Sequence, residues 1–262
     1  MKLISSRDNA EFKRLRLLID SARARRSDEL TVLEGAHLVR AALEHDCSLR
    51  AVFASAGERV AEIEALLAHL PEAVCRLLDP ALMASLSSAN PSHALLALFA
   101  PEAPEHAPDP LRDWLVLDGV QDAGNVGTLM RTAAAAGIDQ VLLGPGCAQA
   151  WSPKVLRAAM GAHFCVAIHE VADLPYELGR YRGRIAATRL DGATDLYALD
   201  LLPPVAWVFG SEGQGVSEGV AHLAQLGVHI PMQPGIESLN VAAAAAICLF
   251  EQRRQRAGSL SG

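Results

Sequence analysis

From residue 114 to 255 of this 262-residue chain, short apolar runs alternate with longer segments whose apolar side chains recur every three or four positions. The runs predict strands at 114–117, 140–143, 164–168, 185–188, 205–209 and 228–230. Helical spacing predicts helices at 126–136, closed by Gly137, at 153–160 with Pro153 in its first turn, and at 240–255. These strands lack polar alternation, which marks strands buried on both faces: a mostly parallel sheet with helices on either side. Such sheets bind ligands beyond the carboxyl ends of their strands. Earlier in the chain, residues 9–19 read as a helix with Phe12, Leu15, Leu18 and Ile19 on one side. A second helix carries Leu38, Val39, Ala42 and Leu43, and a third spans 60–70, set among strands at 31–33, 50–54, 74–77 and 94–99. Four prolines at 101, 104, 108 and 110 exclude a helix interior or central strand between these regions. The pattern predicts α/β domains at 1–100 and 111–262 joined by a linker at 101–110.

Composition narrows the class. The 51% hydrophobic fraction supports a sizeable core, and with only 5% aromatics that core is mostly Ala, Leu and Val. The five cysteines form no CxxC pair, which argues against a disulfide framework or zinc site and fits a reducing cytoplasm. The amino terminus has no leader-like apolar region, and the run at 241–250 is too short to cross a bilayer. The net charge of −7 argues against nucleic acid at first, but residues 1–30 hold eight basic residues against five acidic ones. Lys13, Arg14, Arg16, Arg23, Arg25 and Arg26 form either a phosphate-binding face or a solvated helix surface. Arg180, Arg182, Arg184 and Arg189 pose the same choice.

Three loops carry the candidate chemistry, each between a strand and a helix. Residues 118–131 contain Gly124 and Gly127, which permit close ligand approach, and Asn125, a ligand contact or a helix cap. Arg131 has Gly127, Thr128, Ala134 and Ala135 three and four positions away, a floor of small side chains that suits an anionic ligand or a solvated guanidinium. Residues 209–217 set three glycines around Glu212, without the spacing of a P-loop or a dinucleotide fingerprint. The third loop runs from Ile230, Pro231 and Met232 to Glu237, Ser238, Leu239, Asn240 and Val241. Two caps in one turn are redundant, which leaves Ser238 or Asn240 available to a ligand. The spacing of the histidines offers no metal site.

These loops, in order, resemble the SpoU-type, or TrmH-like, RNA 2'-O-ribose methyltransferases of the SPOUT class. The resemblance rests on Asp122, Asn125, Gly127 and Arg131 followed by Thr132 and Ala133; on Val208 to Glu212 with Gly213 and Gly215; and on Ile230 to Met232 with Glu237 to Val241. It covers the second domain. The first is similar to the family's substrate-binding domain, related to ribosomal protein L30e, through residues 32–39. Departures are His37 for a frequent Arg, Ala123 for Pro and Ala159 for Ser.

The resemblance implies a deep trefoil knot and a homodimer, and the cysteine, histidine and hydropathy patterns above add the expectation of a cytoplasmic protein without metal or membrane. It also implies S-adenosylmethionine bound at Gly210, Ile230, Met232 and Leu239. Methyl transfer to a ribose 2'-hydroxyl of structured RNA, 23S ribosomal RNA before transfer RNA, would use Arg131, Asn125, Glu212, Ser238 and Asn240. Lys13, Arg14, Arg23, Arg25 and Arg26 would contact RNA. Arg131 is left as base or phosphate clamp. The alternatives are base methylation and a knotted RNA-binding or ribosome-assembly factor without turnover.

Overall fold

The computed structural model of the protein describes residues 1–87, 89–188, 193–235 and 238–259. The chain forms two compact units, Met1–Glu102 with Trp151–Phe164, and Ala103–Ala150 with Cys165–Gly262. Glu237 and Arg189, singled out in the sequence, lie outside the described residues.

The first unit begins with β1 (Lys2–Ile4), α1 (Ala10–Asp20), α2 (Ala22–Asp28), β2 (Thr31–Glu34), α3 (Ala36–Glu44) and β3 (Leu49–Ser55). It continues with α4 (Ala61–Ala68), β4 (Cys75–Leu78), α5 (Pro80–Ala84) and β5 (Leu95–Phe99). The strands make a mixed sheet in the order β1-β4-β3-β5-β2. Successive strand residues point to opposite faces, so each strand feeds two cores. Val32, Phe53 and Leu96 pack with Phe12, Leu15 and Leu18 of α1. Leu33, Val52 and Leu95 pack with Leu38, Val39 and Ala42 of α3 and with Ile63 of α4. The Asn9 side chain caps α1 by accepting from the Glu11 and Phe12 amides, and α1 gives way to α2 at Ser21, which caps the second helix.

The second unit starts with β6 (Trp114–Asp118), α6 (Ala123–Ala136) and β7 (Gln140–Leu143). The next helix, α7 (Pro153–Ala159), belongs to the first unit, whereas its position in sequence suggested the second. Leu156 is buried in the α3–α4 core, and Trp151 and Phe164 pack against Phe99 with ring centroids 5.8 and 5.7 Å away. Phe164 thus ends a short 3-10 turn instead of starting a strand, and the expected strand at 164–168 lies at Ala167–Glu170. Apolar runs of this length look alike locally; the aromatic partner on β5, Phe99, decides.

The remaining elements are β8 (Ala167–Glu170), α8 (Leu174–Arg180), β9 (Arg184–Thr188), β10 (Thr194–Asp195), β11 (Val205–Gly210), α9 (Glu218–Ala221), β12 (Leu226–His229) and α10 (Val241–Ser259). Seven strands form a wholly parallel sheet in the order β10-β12-β9-β11-β6-β7-β8. Every residue of the central β11 is buried, as its unbroken apolar run requires. Val116, Val208, Leu174 and Leu178 pack in the core beneath α8. On the other side, small residues let α10 lie along α6, with Ala242, Ala245 and Cys248 buried. Burial pushes the Cys248 thiol up to about 12. Trp207 Nε1 donates to Gln252 Oε1 at 2.8 Å, Gln252 Nε2 donates to Asp113 Oδ1 at 3.0 Å, and the Arg256 guanidinium pairs with the same carboxylate. This partly buried network fixes the far end of α10, while its first turn opens into the loops described next. The proline-rich linker is only partly free: the Asp109 amide donates to Gln140 Oε1 at 2.6 Å, and its carbonyl accepts from Trp114 Nε1 at 2.8 Å.

Candidate active site

Because the second sheet is wholly parallel, the carboxyl ends of β6, β9, β11 and β12 share one edge. A cavity of about 380 Å³ opens there. Its walls are Thr188, His229 and Gly210, the last residues of β9, β12 and β11; Ser211, Glu212, Gly215 and Val216 after β11; Val228, Ile230 and Met232; and Ser238, Leu239, Asn240, Val241 and Ala244. All four proposed cofactor contacts, Gly210, Ile230, Met232 and Leu239, therefore meet in one cavity of apolar and polar groups. The glycine loop doubles back tightly: Ser211 and Gly215 exchange backbone hydrogen bonds of 3.1 and 2.9 Å. A Cβ at Gly210 would lie 2.1 Å from the Gly215 carbonyl carbon, so only glycine fits. Asp118, at the end of β6, accepts from the Ser217 amide at 2.7 Å and ties the far end of the loop to the sheet.

Asn125, in the first turn of α6, forms a continuous hydrogen-bonded chain with Glu212 and Asn240 from two separate loops. Asn125 Nδ2 donates to Glu212 Oε1, and Asn240 Nδ2 donates to Asn125 Oδ1 at 3.0 Å. Asn125 is free to do this because it is not a cap. Helix α6 starts earlier than expected, and Asp122 caps it by accepting from the Asn125 amide at 2.7 Å. Asn240 is the cap of α10, its Oδ1 accepting from the Ala242 and Ala243 amides at 3.0 and 3.3 Å. That leaves Ser238, which lines the cavity and makes no hydrogen bond to a described residue. Glu212 does not cap the helix after its loop; Ser217 holds the cap position of α9.

Arg131 stands apart. It lies on the exposed face of α6, six residues beyond Asn125, outside the cavity walls, and pairs with no described residue. A charged group without a partner among the described residues is free for an anionic ligand. Cys147 lies near the same sheet end, its Sγ in contact with the Leu117 carbonyl at 3.3 Å, and burial pushes its thiol up. Among the described residues, no cluster of His, Cys, Asp or Glu could hold a metal ion.

The proposed RNA contacts sit in the first unit and divide. Arg23 and Arg26 are exposed; Lys13 is paired with Asp8 at 2.8 Å and Arg14 with Asp28 at 2.9 Å. Arg25 is a correction: it is 8% exposed and donates to the carbonyls of Leu18 and Ile19 at 2.8 and 3.0 Å. It closes the end of α1 and is not available to RNA. In the second unit, Arg180 pairs with Glu177 and lies over the Tyr176 ring, and Arg184 pairs with Asp200. Reading from sequence passed over Thr188, His229 and Asp118. Each ends a parallel strand, and strand direction was the signal that locates them.

Comparison with known proteins agrees with this geometry. Residues 114–250 match the model of the SpoU rRNA Methylase family. The chain is 33% identical over 263 residues to an uncharacterized tRNA/rRNA methyltransferase of Synechocystis sp., covering 97% of this chain and 94% of that protein. It is 29% identical to the 23S rRNA (guanosine(2553)-2'-O)-methyltransferase RlmP of Bacillus subtilis, covering 97% of this chain and 100% of that protein. The crystal structure of an AdoMet-bound rRNA methyltransferase from Sinorhizobium meliloti superposes with a TM-score of 0.84 at 26% identity, over 97% of this chain and 98% of that one. The cavity at the ends of the parallel strands, with its Glu212–Asn125–Asn240 chain, is thus found within the matched region, and the protein belongs to the SpoU rRNA methylase family.

Proposed function

We propose that the protein catalyses methyl transfer from S-adenosylmethionine to a ribose 2'-hydroxyl of structured RNA, with ribosomal RNA as the substrate. The observation that carries this reading is the Glu212–Asn125–Asn240 chain, which ties two loops to the start of α6 beside a cavity of cofactor size. Ile230, Met232 and Leu239 offer apolar surface for an adenine, and the glycine at 210 keeps the loop backbone close. S-adenosylmethionine supplies, when bound, a methyl group that is already electrophilic. The residues must then align the attacking oxygen and manage its charge and proton. Arg131 is suited to hold the neighbouring phosphate and the developing oxyanion, since a planar guanidinium offers several hydrogen-bond donors and no acceptor. Ser238, with no cap to satisfy, is available to the ribose or the cofactor.

Three finer features belong to the same proposal. The resemblance of the loops at 210, 230 and 239 supports a deep trefoil knot toward the carboxyl-terminal end of the second unit, a rare exception to unknotted topology. The first unit is taken as an L30e-like domain that captures RNA, consistent with its mixed sheet and exposed Arg23 and Arg26. Ribosomal RNA is preferred because RlmP, alike over nearly the whole chain, bears that substrate in its name. A homodimer is supported by exposed Ala243 and Phe250 on α10, the latter 46% exposed, beside exposed Thr128 and Ala135 of α6.

The test uses ribosomal RNA, labelled cofactor, and nuclease digestion with mass spectrometry to identify a 2'-O-methylated nucleoside. Arg131→Ala should keep its fold and cofactor affinity while turnover falls by about 10²–10³-fold, the scale of losing one preorganised oxyanion donor. Arg131→Lys, which keeps the charge but not the planar fork, should recover part of it. Normal turnover by the Ala variant would remove Arg131 from the mechanism; a methylated base would overturn the ribose assignment.

A further inference from the structure

The first unit contains a second recess, of about 450 Å³, between α1, the end of α2 and the start of β3. Leu30, Ala51 and Leu98 form an apolar floor, with Arg14, Arg50 and Arg76 and the carboxylates Glu11, Asp28 and Glu29 around it. Most of these charges are already matched. Arg14 pairs with Asp28 at 2.9 Å; Arg76 pairs with Glu11 at 2.8 Å and donates to the Ala73 and Cys75 carbonyls. Glu11 is shared further with Lys2. Two groups remain without a described partner, the exposed guanidinium of Arg50 and the exposed carboxylate of Glu29. Glu29 stands at the left-handed end of α2, φ 53°. That backbone is costly for a residue with a Cβ, and it sets Glu29 on the rim.

One free cation, one free carboxylate and an apolar floor do not make a trap for a simple anion. They match a ligand that brings an anionic group, hydrogen-bond donors and a flat apolar face together. We propose that this recess holds one unstacked nucleotide of the RNA, guanosine in preference. Arg50 takes a phosphate, the aliphatic floor takes the base face, and Glu29 accepts from the base edge. Guanine alone among the four bases presents two adjacent donors, N1–H and N2–H, to a carboxylate. The inference rests on the RNA-binding reading above and adds the class of nucleotide the first unit selects.

Amide NMR of the full chain tests it without cofactor. The single-stranded pentanucleotide UUGUU should shift the amides of Leu30, Ala51 and Leu98, whereas UUAUU and UUCUU should need concentrations about tenfold higher. Glu29→Gln should abolish that preference, and Arg50→Ala should weaken all three ligands by about tenfold. Lys154→Ala, outside the recess, serves as the control. Equal affinity for the three pentanucleotides, shifts confined to other residues, or tighter binding of free GMP than of UUGUU would overturn the proposal. Absence of methyl transfer by the wild-type protein would instead strike the proposed function, because these shifts are read without the reaction.

Discussion

Asn125 uses both ends of its amide: Nδ2 for Glu212 and Oδ1 for Asn240. Each partner comes from a different loop, so one side chain sets two distances. Asn125→Ala removes a donor and an acceptor and leaves Glu212 and Asn240 without that link, at about 1–3 kcal/mol for each unmet polar group in a desolvated site. The site is open to solvent in the free protein, so the effect on melting should be small. The effect on catalysis should be larger, a fall of about 10–100-fold in kcat/KM, because the network must hold when ligand excludes water. Steady-state methyl transfer beside thermal melts separates the two, and unchanged kcat/KM would show that the chain only decorates the rim. Sequence pointed to Asn125 as either cap or ligand contact. Asp122, three residues earlier, resolves the choice by taking the cap.

At the scale of the element, the 210–217 loop is held at both ends, by the Ser211–Gly215 bridge and by Asp118 on the Ser217 amide. A methyl group at residue 210 meets backbone, not a flexible side-chain tip, so the loop must shift as a unit. Gly210→Ala should therefore weaken S-adenosylmethionine by at least about tenfold, roughly 1.4 kcal/mol, with the parallel sheet intact by circular dichroism. Calorimetry reads the affinity, and wild-type binding by this variant would mean that the loop does not wall the cofactor. The loop's glycines were plain in the sequence as a cluster. The need for glycine at 210 came from the distance to Gly215, which spacing does not encode.

For the whole molecule, the two units share the chain unevenly. Residues 151–164 leave the second unit's sequence to complete the core of the first, with Leu156 fully buried there. Cutting at the proline-rich linker therefore does not give an intact second unit. A chain of residues 103–262 should expose Trp151, Leu156 and Phe164, with fully buried Leu156 alone forfeiting about 1.5–3 kcal/mol, and should aggregate. Replacing 151–164 in that chain by a short Gly/Ser segment should restore a soluble species. Size-exclusion chromatography of both chains checks this, and a soluble, monodisperse 103–262 chain would contradict the packing assigned to α7.

The sequence by itself determined the parallel α/β sheet, the three glycine- and asparagine-bearing loops and their order. Those properties are local: an unbroken apolar run must be buried on both faces, and polar residues at a helix start must cap or bind. Tertiary structure decided the rest. It buried Arg25 against the carbonyls of Leu18 and Ile19, although its charge matches that of exposed Arg23 and Arg26. It gave Asn240 the cap and left Ser238 free, added Thr188 and His229 to the cavity, and moved 151–164 into the first unit. In each case the outcome depends on a partner many residues away, and no local pattern carries the free energy of that contact.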